Sequence, residues 1–203
     1  MKNILFLVIF FTINPFFGYA QSTENLDYIS PYHNGYAAIK KNNQWAFINA
    51  KGDVVINYRT DLNLSTFEKD SYPIFSDDRC LIEQKKNGIS YFGYIDTAGN
   101  TVIEPQFLNA THFNNESALA LEVKKETVAQ NKALDKNIVY YRYYEVVIGI
   151  NGEIVHYLNP EGVNVVLDKE YLREPPKITS HHLSKELIAV KGKNGKWALK
   201  KLN

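Results

Sequence analysis

From residue 34 onward, apolar and polar positions alternate in short runs, the two-residue period of half-buried β-strands. Tyr36–Lys40, Trp45–Ile48 and Val54–Ile56 make a first set, and Arg79–Glu83, Tyr91–Ile95 and Thr101–Ile103 a second. Both are rich in aromatic and β-branched residues, which suit a pleated surface. The punctuation between runs is regular. Asp96-Thr97-Ala98-Gly99 has the residues of a type I turn followed by a left-handed glycine, which joins two strands through a G1 bulge. Asn49-Ala50-Lys51-Gly52, Ile150-Asn151-Gly152-Glu153 and Asn159-Pro160-Glu161-Gly162 repeat that logic. Gly52, Gly99, Gly152 and Gly162 are therefore expected to be structural turn residues. Pro105 is expected to end the strand after Gly99, because it cannot donate to a ladder.

Four hairpins in one chain amount to an internal repeat. Residues upstream of the turns recur as well. Asn34-Gly35-Tyr36-Ala37-Ala38-Ile39-Lys40-Lys41-Asn42-Asn43-Gln44-Trp45-Ala46-Phe47-Ile48-Asn49-Ala50-Lys51-Gly52 resembles one unit of the WG-repeat family. That pattern is a Gly-Leu-Ala-x-Val-like strand, a Lys/Asn/Gly turn, Trp-Gly-x-Ile-Asp, x-x-Gly and a β-branched pair. Gly93 keeps the second residue of the Trp-Gly pair, with Phe92 in the tryptophan position; Ala46 and Ala198 replace the glycine. Units are expected at about residues 31–58, 75–107, 113–166 and, in part, 183–203. The resemblance implies an architecture and no activity. The expected fold is all-β: antiparallel hairpin repeats stacked in an open curved array, with a closed propeller-like ring as the alternative. Trp45, Phe92 and Trp197 occupy corresponding places and are expected to line one continuous core seam.

Met1–Ala20 reads as a secretory signal helix. It has Lys2, an apolar run over Ile4–Phe11, and Gly18-Tyr19-Ala20 as a small-x-small cleavage site before Gln21. This implies export to the periplasm or the medium, with no membrane span after cleavage. Residues 21–30 read as a polar leader. Lys+Arg 23 against Asp+Glu 22 leaves the chain nearly neutral, which argues against a nucleic-acid partner. Cys80 is the one cysteine, so no intrachain disulfide forms, and its neighbours Leu81 and Ile82 place it in a core. Asp77-Asp78 reads as a solvated turn and His181-His182 as a solvated pair in a polar loop. Neither has the spacing of a metal site, and no cofactor is implied.

Residues 124–136 interrupt the third unit and read as a short helix or an extended loop. Loops on a rigid scaffold carry contacts, so this insertion is a place to look for function. After it, Ile138–Ile148 is the longest strand-like run, with tyrosines on both faces. Tyr141, Tyr143, Arg142 and Lys132 are the candidate binding residues. The carboxylates Glu122, Glu145 and Asp168 are available for hydrolysis, yet nothing pairs two of them at a defined distance. The expectation is a non-enzymatic envelope or secreted scaffold with a protein or peptide partner. A glycan-binding module is the alternative.

Overall fold

The computed structural model describes residues 23–67, 69–131, 136–192 and 194–202. The signal segment lies outside the described residues. Every described element is a strand, and all pairing is antiparallel. The first sheet runs β1 (Tyr28–His33), β2 (Tyr36–Lys41), β3 (Gln44–Ile48), β4 (Val54–Arg59) in sequence order. A small hairpin follows, β5 (Ser65–Phe67) with β6 (Asp70–Tyr72). The second sheet repeats the meander with β7 (Phe75–Ser76), β8 (Arg79–Lys86), β9 (Ile89–Ile95) and β10 (Thr101–Phe107). In the third, β11 (Ser117–Asn131) pairs with β12 (Lys136–Gly149), whose other edge carries β13 (Ile154–Tyr157) and β14 (Val163–Val165). The fourth holds β15 (His181–Ser184), β16 (Leu187–Lys191) and β17 (Trp197–Lys201). No sheet closes on itself.

Turn chemistry explains the meanders. The two-residue connections Asn34-Gly35, Asn42-Asn43, Asp77-Asp78 and Asn87-Gly88 all have positive φ, which Asn, Asp and Gly tolerate best. The longer turns close with Gly52 (φ 85°), Gly99 (85°) and Gly152 (86°), whose N–H groups bond back to Asn49, Asp96 and Gly149. A β-carbon on Gly99 would sit 3.3 Å from Ile56, and one on Gly152 3.1 Å from Ile103. Ile56 and Ile103 hold the same place in successive units, so each turn rests on the unit before it. Gly162 (φ 61°) lies against the Tyr144 ring instead.

Asp96 Oδ1 accepts the N–H groups of Ala98 and Asn100, both at 2.9 Å. Burial raises the pKa of this carboxyl, but the hydrogen bonds from Asn100 and Ala98 outweigh it, and the net shift is downward. A depressed folded pKa contributes stability above the unfolded value of about 3.9, lost as pH falls through the folded one. Asn49 makes the same bonds to Lys51 and Asp53 with an amide oxygen. Asp96→Asn should therefore keep the turn and flatten the acid limb of a melting-temperature profile. An unchanged acid limb would separate this carboxyl from acid unfolding.

The sheets are walls between successive core layers. Trp45, Phe47 and Ile56 of the first pack with Phe75, Cys80, Ile82 and Ile95 of the second. The other face of the second sheet presents Leu81, Phe92, Tyr94 and Phe107 to Ala118, Ala120, Val146 and Ile148 of the third. Leu119 and Val147, on the far face of the third, meet Ile188 and Val190 of the fourth. Aromatics recur in the layers: Phe47 and Phe75 lie 4.7 Å apart, as do Tyr94 and Phe113. Cys80 is fully buried, and burial pushes its thiol pKa well up, so it is an inert core side chain.

Several expectations need correction. Trp45 and Phe92 are buried but in different layers, not one seam, because each points at the next sheet rather than along a common groove. Trp197 is 53% exposed, because no described sheet covers its face. Residues 28–30 are not leader; they begin β1, where Ser30 Oγ accepts the Ala38 N–H. Residues 124–131 are neither helix nor loop but continue β11, paired residue by residue with β12. Pro105 lies inside β10, where the pairing with β9 shifts register and asks no N–H of it. There Gly93 is required, since a β-carbon would lie 2.3 Å from the Ile103 carbonyl oxygen. His181 and His182 lie in β15, not a loop.

Candidate functional site

The junction between the third and fourth sheets departs from the others. Trp45, Phe92 and Glu145 each stand four positions before the first residue of the long turn, at Asn49, Asp96 and Gly149. The third unit thus carries a carboxylate in the tryptophan position. Glu145 is 6% exposed. Its Oε1 accepts the N–H groups of Thr179 (3.0 Å) and Ser180 (2.7 Å), and its Oε2 accepts Thr179 Oγ1 (3.1 Å). Its own N–H donates to Asn159 Oδ1 at 2.6 Å. Pro175-Pro176 leads into this crossing segment, and Asn109 Nδ2 holds the Pro176 carbonyl at 2.8 Å. Chain that would otherwise leave the buried Ser180 N–H orphaned is pinned by one side chain.

Beside this carboxylate opens a cleft of about 560 Å3. One wall is Leu158–Val163, the loop between β13 and β14 with the start of β14. The other is Lys177, Thr179 and the end of β16 at Val190–Gly192, and Tyr143 and Glu145 come from β12. Burial, then the Glu145 charge, raise the Tyr143 phenol above its ordinary pKa. Lys200 ties the sheets together beneath, donating to the Tyr157 and Leu158 carbonyls at 3.3 and 2.8 Å. Ser180 Oγ of the crossing segment, His156 Nε2 of β13 and both ring nitrogens of His182 of β15 are buried without a protein partner, though none of these residues lines the cleft. Burial lowers the His182 pKa, which keeps that ring neutral.

The sequence-predicted residues divide between two faces of β12. Tyr141 and Tyr143 share the face of Glu145 and are half-buried, so they do not form an open stacking platform. Tyr143 enters the cleft; Tyr141 pairs with Val165 of β14. Arg142 lies on the other face, donating to Asn164 Oδ1 (2.8 Å) and the Glu161 carbonyl (3.3 Å) at a neighbouring hollow of about 480 Å3. On that face the tyrosines pair across strands: the Tyr140 and Tyr144 hydroxyls both donate to Glu126. These bonds, Tyr140 first, hold the Glu126 carboxyl below its ordinary pKa. Lys132 lies outside the described residues. The cleft thus unites Tyr143 with Glu145, Asn159 and Thr179, of which only Tyr143 stood out as a binding residue. Counting back from Gly149 as from Asn49 and Asp96 finds Glu145. Among the described residues, no group of three His, Cys, Asp or Glu is placed to hold a metal ion.

The geometry defines a stacked β-repeat protein whose junctions follow a common plan. In agreement, a family model described as "WG containing repeat" matches residues 25–45 and 92–122. Those two stretches of the chain therefore match WG repeats. The first match ends on Trp45 and the second starts on Phe92, the two corresponding positions that point into core layers. No curated protein and no solved structure matches the chain.

Proposed function

We propose that this is a non-enzymatic, exported repeat protein that serves as an interaction scaffold in the cell envelope or outside it. It holds an extended peptide segment of a protein partner in the cleft between the third and fourth sheets. The cleft itself carries the reading: apolar layers fill the first two junctions, with a hollow of about 190 Å3 at the edge of the second, and the third opens more widely around fixed polar groups. Asn159 and Thr179 line it with side-chain and backbone hydrogen-bonding groups, and Leu158 and Val190 supply apolar contact. Concave sites with a few convergent polar groups on an apolar lining suit such ligands. Export is supported by the Met1–Ala20 pattern.

The test places a photo-crosslinking amino acid at Val163, an exposed position on the cleft wall, and a second at exposed Ser71, away from it. Irradiation in envelope extract should give one dominant protein adduct at Val163 that is absent at Ser71. Adducts that are the same at both positions, or absent at both, would remove the cleft from the reading. Tyr143 beside Asn159 and Asn194 also favours a glycan. In that case glycan-array binding lost in Tyr143→Ala would replace the peptide reading.

A further inference from the structure

Apart from Lys191, which also borders the cleft, the outward face of the fourth sheet is used by neither the core nor the cleft. In the inner units, the tryptophan position and the residue two beyond it are covered by the sheet or segment that follows. Those pairs are Trp45 with Phe47, Phe92 with Tyr94, and Glu145 with Val147. The fourth pair is Trp197 and Leu199, 53% and 67% exposed, and β15 adds exposed Leu183. In the fourth unit this pair is therefore apolar and open to solvent.

The face is also ordered and one-signed in charge. Trp197 is held edge-on by His181 at 5.1 Å across Ala189, and the Lys191 ammonium lies 5.7 Å from its ring centroid. Strand alternation puts Lys201 on the same side as Trp197 and Leu199. Among the described strand residues of this face none is acidic. Residues 183–203 carry Lys185, Lys191, Lys193, Lys196, Lys200 and Lys201 against Glu186 alone, within a chain that is nearly neutral overall. Charge asymmetry of this kind points to an anionic surface. A second copy docked through the same face would bring Lys191 and Lys201 against their own kind.

We infer that the outer face of the fourth sheet rests on an anionic lipid surface. Trp197, Leu199 and Leu183 enter the headgroup boundary, and Lys191 and Lys201 meet the phosphates. Amphipathic surfaces bind this way through apolar area plus attraction to anionic lipid. Tryptophan prefers this depth.

Trp197 is its own reporter. In full-length protein carrying Trp45→Phe, the residue natural at the corresponding Phe92, Trp197 is the one remaining tryptophan. Vesicles of phosphatidylglycerol and phosphatidylcholine should move its emission to shorter wavelength, and dibrominated lipid should quench it. Pure phosphatidylcholine should do neither. Lys191→Gln with Lys201→Gln should weaken the response about thirtyfold, the loss of two lysine contacts to anionic lipid. Leu199→Asp, at an exposed site that leaves the fold intact by circular dichroism, should abolish it. Because the signal is local to Trp197, insertion of another part of the chain does not imitate it. An emission unmoved by anionic vesicles, or a response that survives Leu199→Asp, overturns the inference. A shift that grows with protein concentration in the absence of vesicles also overturns it and makes the occupant a second copy.

Discussion

Trp45→Ala is expected to cost about 3–5 kcal/mol, the usual range for deleting a buried tryptophan and near the whole stability of a domain this size. The indole is 7% exposed and belongs to the layer between the first two sheets. The Tyr28 ring packs on it edge-on at 5.8 Å, and the Lys40 ammonium lies 5.6 Å from its centroid. Truncation would leave a cavity that two hydrogen-bonded sheets cannot easily close, so the lost transfer energy and the cavity cost add. Trp197→Ala, the same change at the corresponding position of the last unit, should fall within about 0.5 kcal/mol, because that ring is exposed. Urea melts of the two variants make a matched pair. Equal costs would mean that burial does not separate these positions, and the layered account would fail.

That contrast marks where sequence reading succeeds and where it stops. Strand positions and long turns were legible because their signals are local: a two-residue period, an Asn or Asp that bonds its own turn, a glycine at positive φ. Burial of Cys80 was legible from its apolar neighbours, and that of Trp45 and Phe92 from their matching places in the repeat. Exposure of Trp197 was not, because it depends on which sheet lies opposite, a fact that no local pattern encodes. The 124–136 segment failed for a different reason. Lys124, Lys125 and Glu126 look like a polar loop, but β11 there is paired on one edge only and need not bury these side chains. The cleft was half legible: Tyr143 announced itself as part of an aromatic strip. Glu145 stood only as one of three carboxylates, because a carboxylate in a tryptophan position breaks the motif by which the position is found.

Glu145 therefore carries the second large effect. Glu145→Ala removes the acceptor for Thr179 N–H, Thr179 Oγ1 and Ser180 N–H at once. Hydrogen bonds to a charged group contribute about 1.5–3 kcal/mol, and the buried Ser180 donor left unpaired costs a further share of the same order. The bonds are coupled through one side chain, so a net loss of about 2–4 kcal/mol is expected rather than their sum. Glu145→Gln keeps an amide oxygen where Oε1 receives both backbone donors, and Thr179 Oγ1 can turn to accept from the new NH2. Its cost should stay near 1 kcal/mol. Amide hydrogen exchange separates this anchoring from a general loss of stability. Thr179 and Ser180 should lose protection in the alanine variant and keep most of it in the glutamine variant, while Phe47 and Tyr94 in the earlier layers keep theirs. If both variants melt like the parent and residues 179 and 180 stay protected, the crossing segment is held by something other than this carboxylate, and the wall of the cleft it builds has another origin.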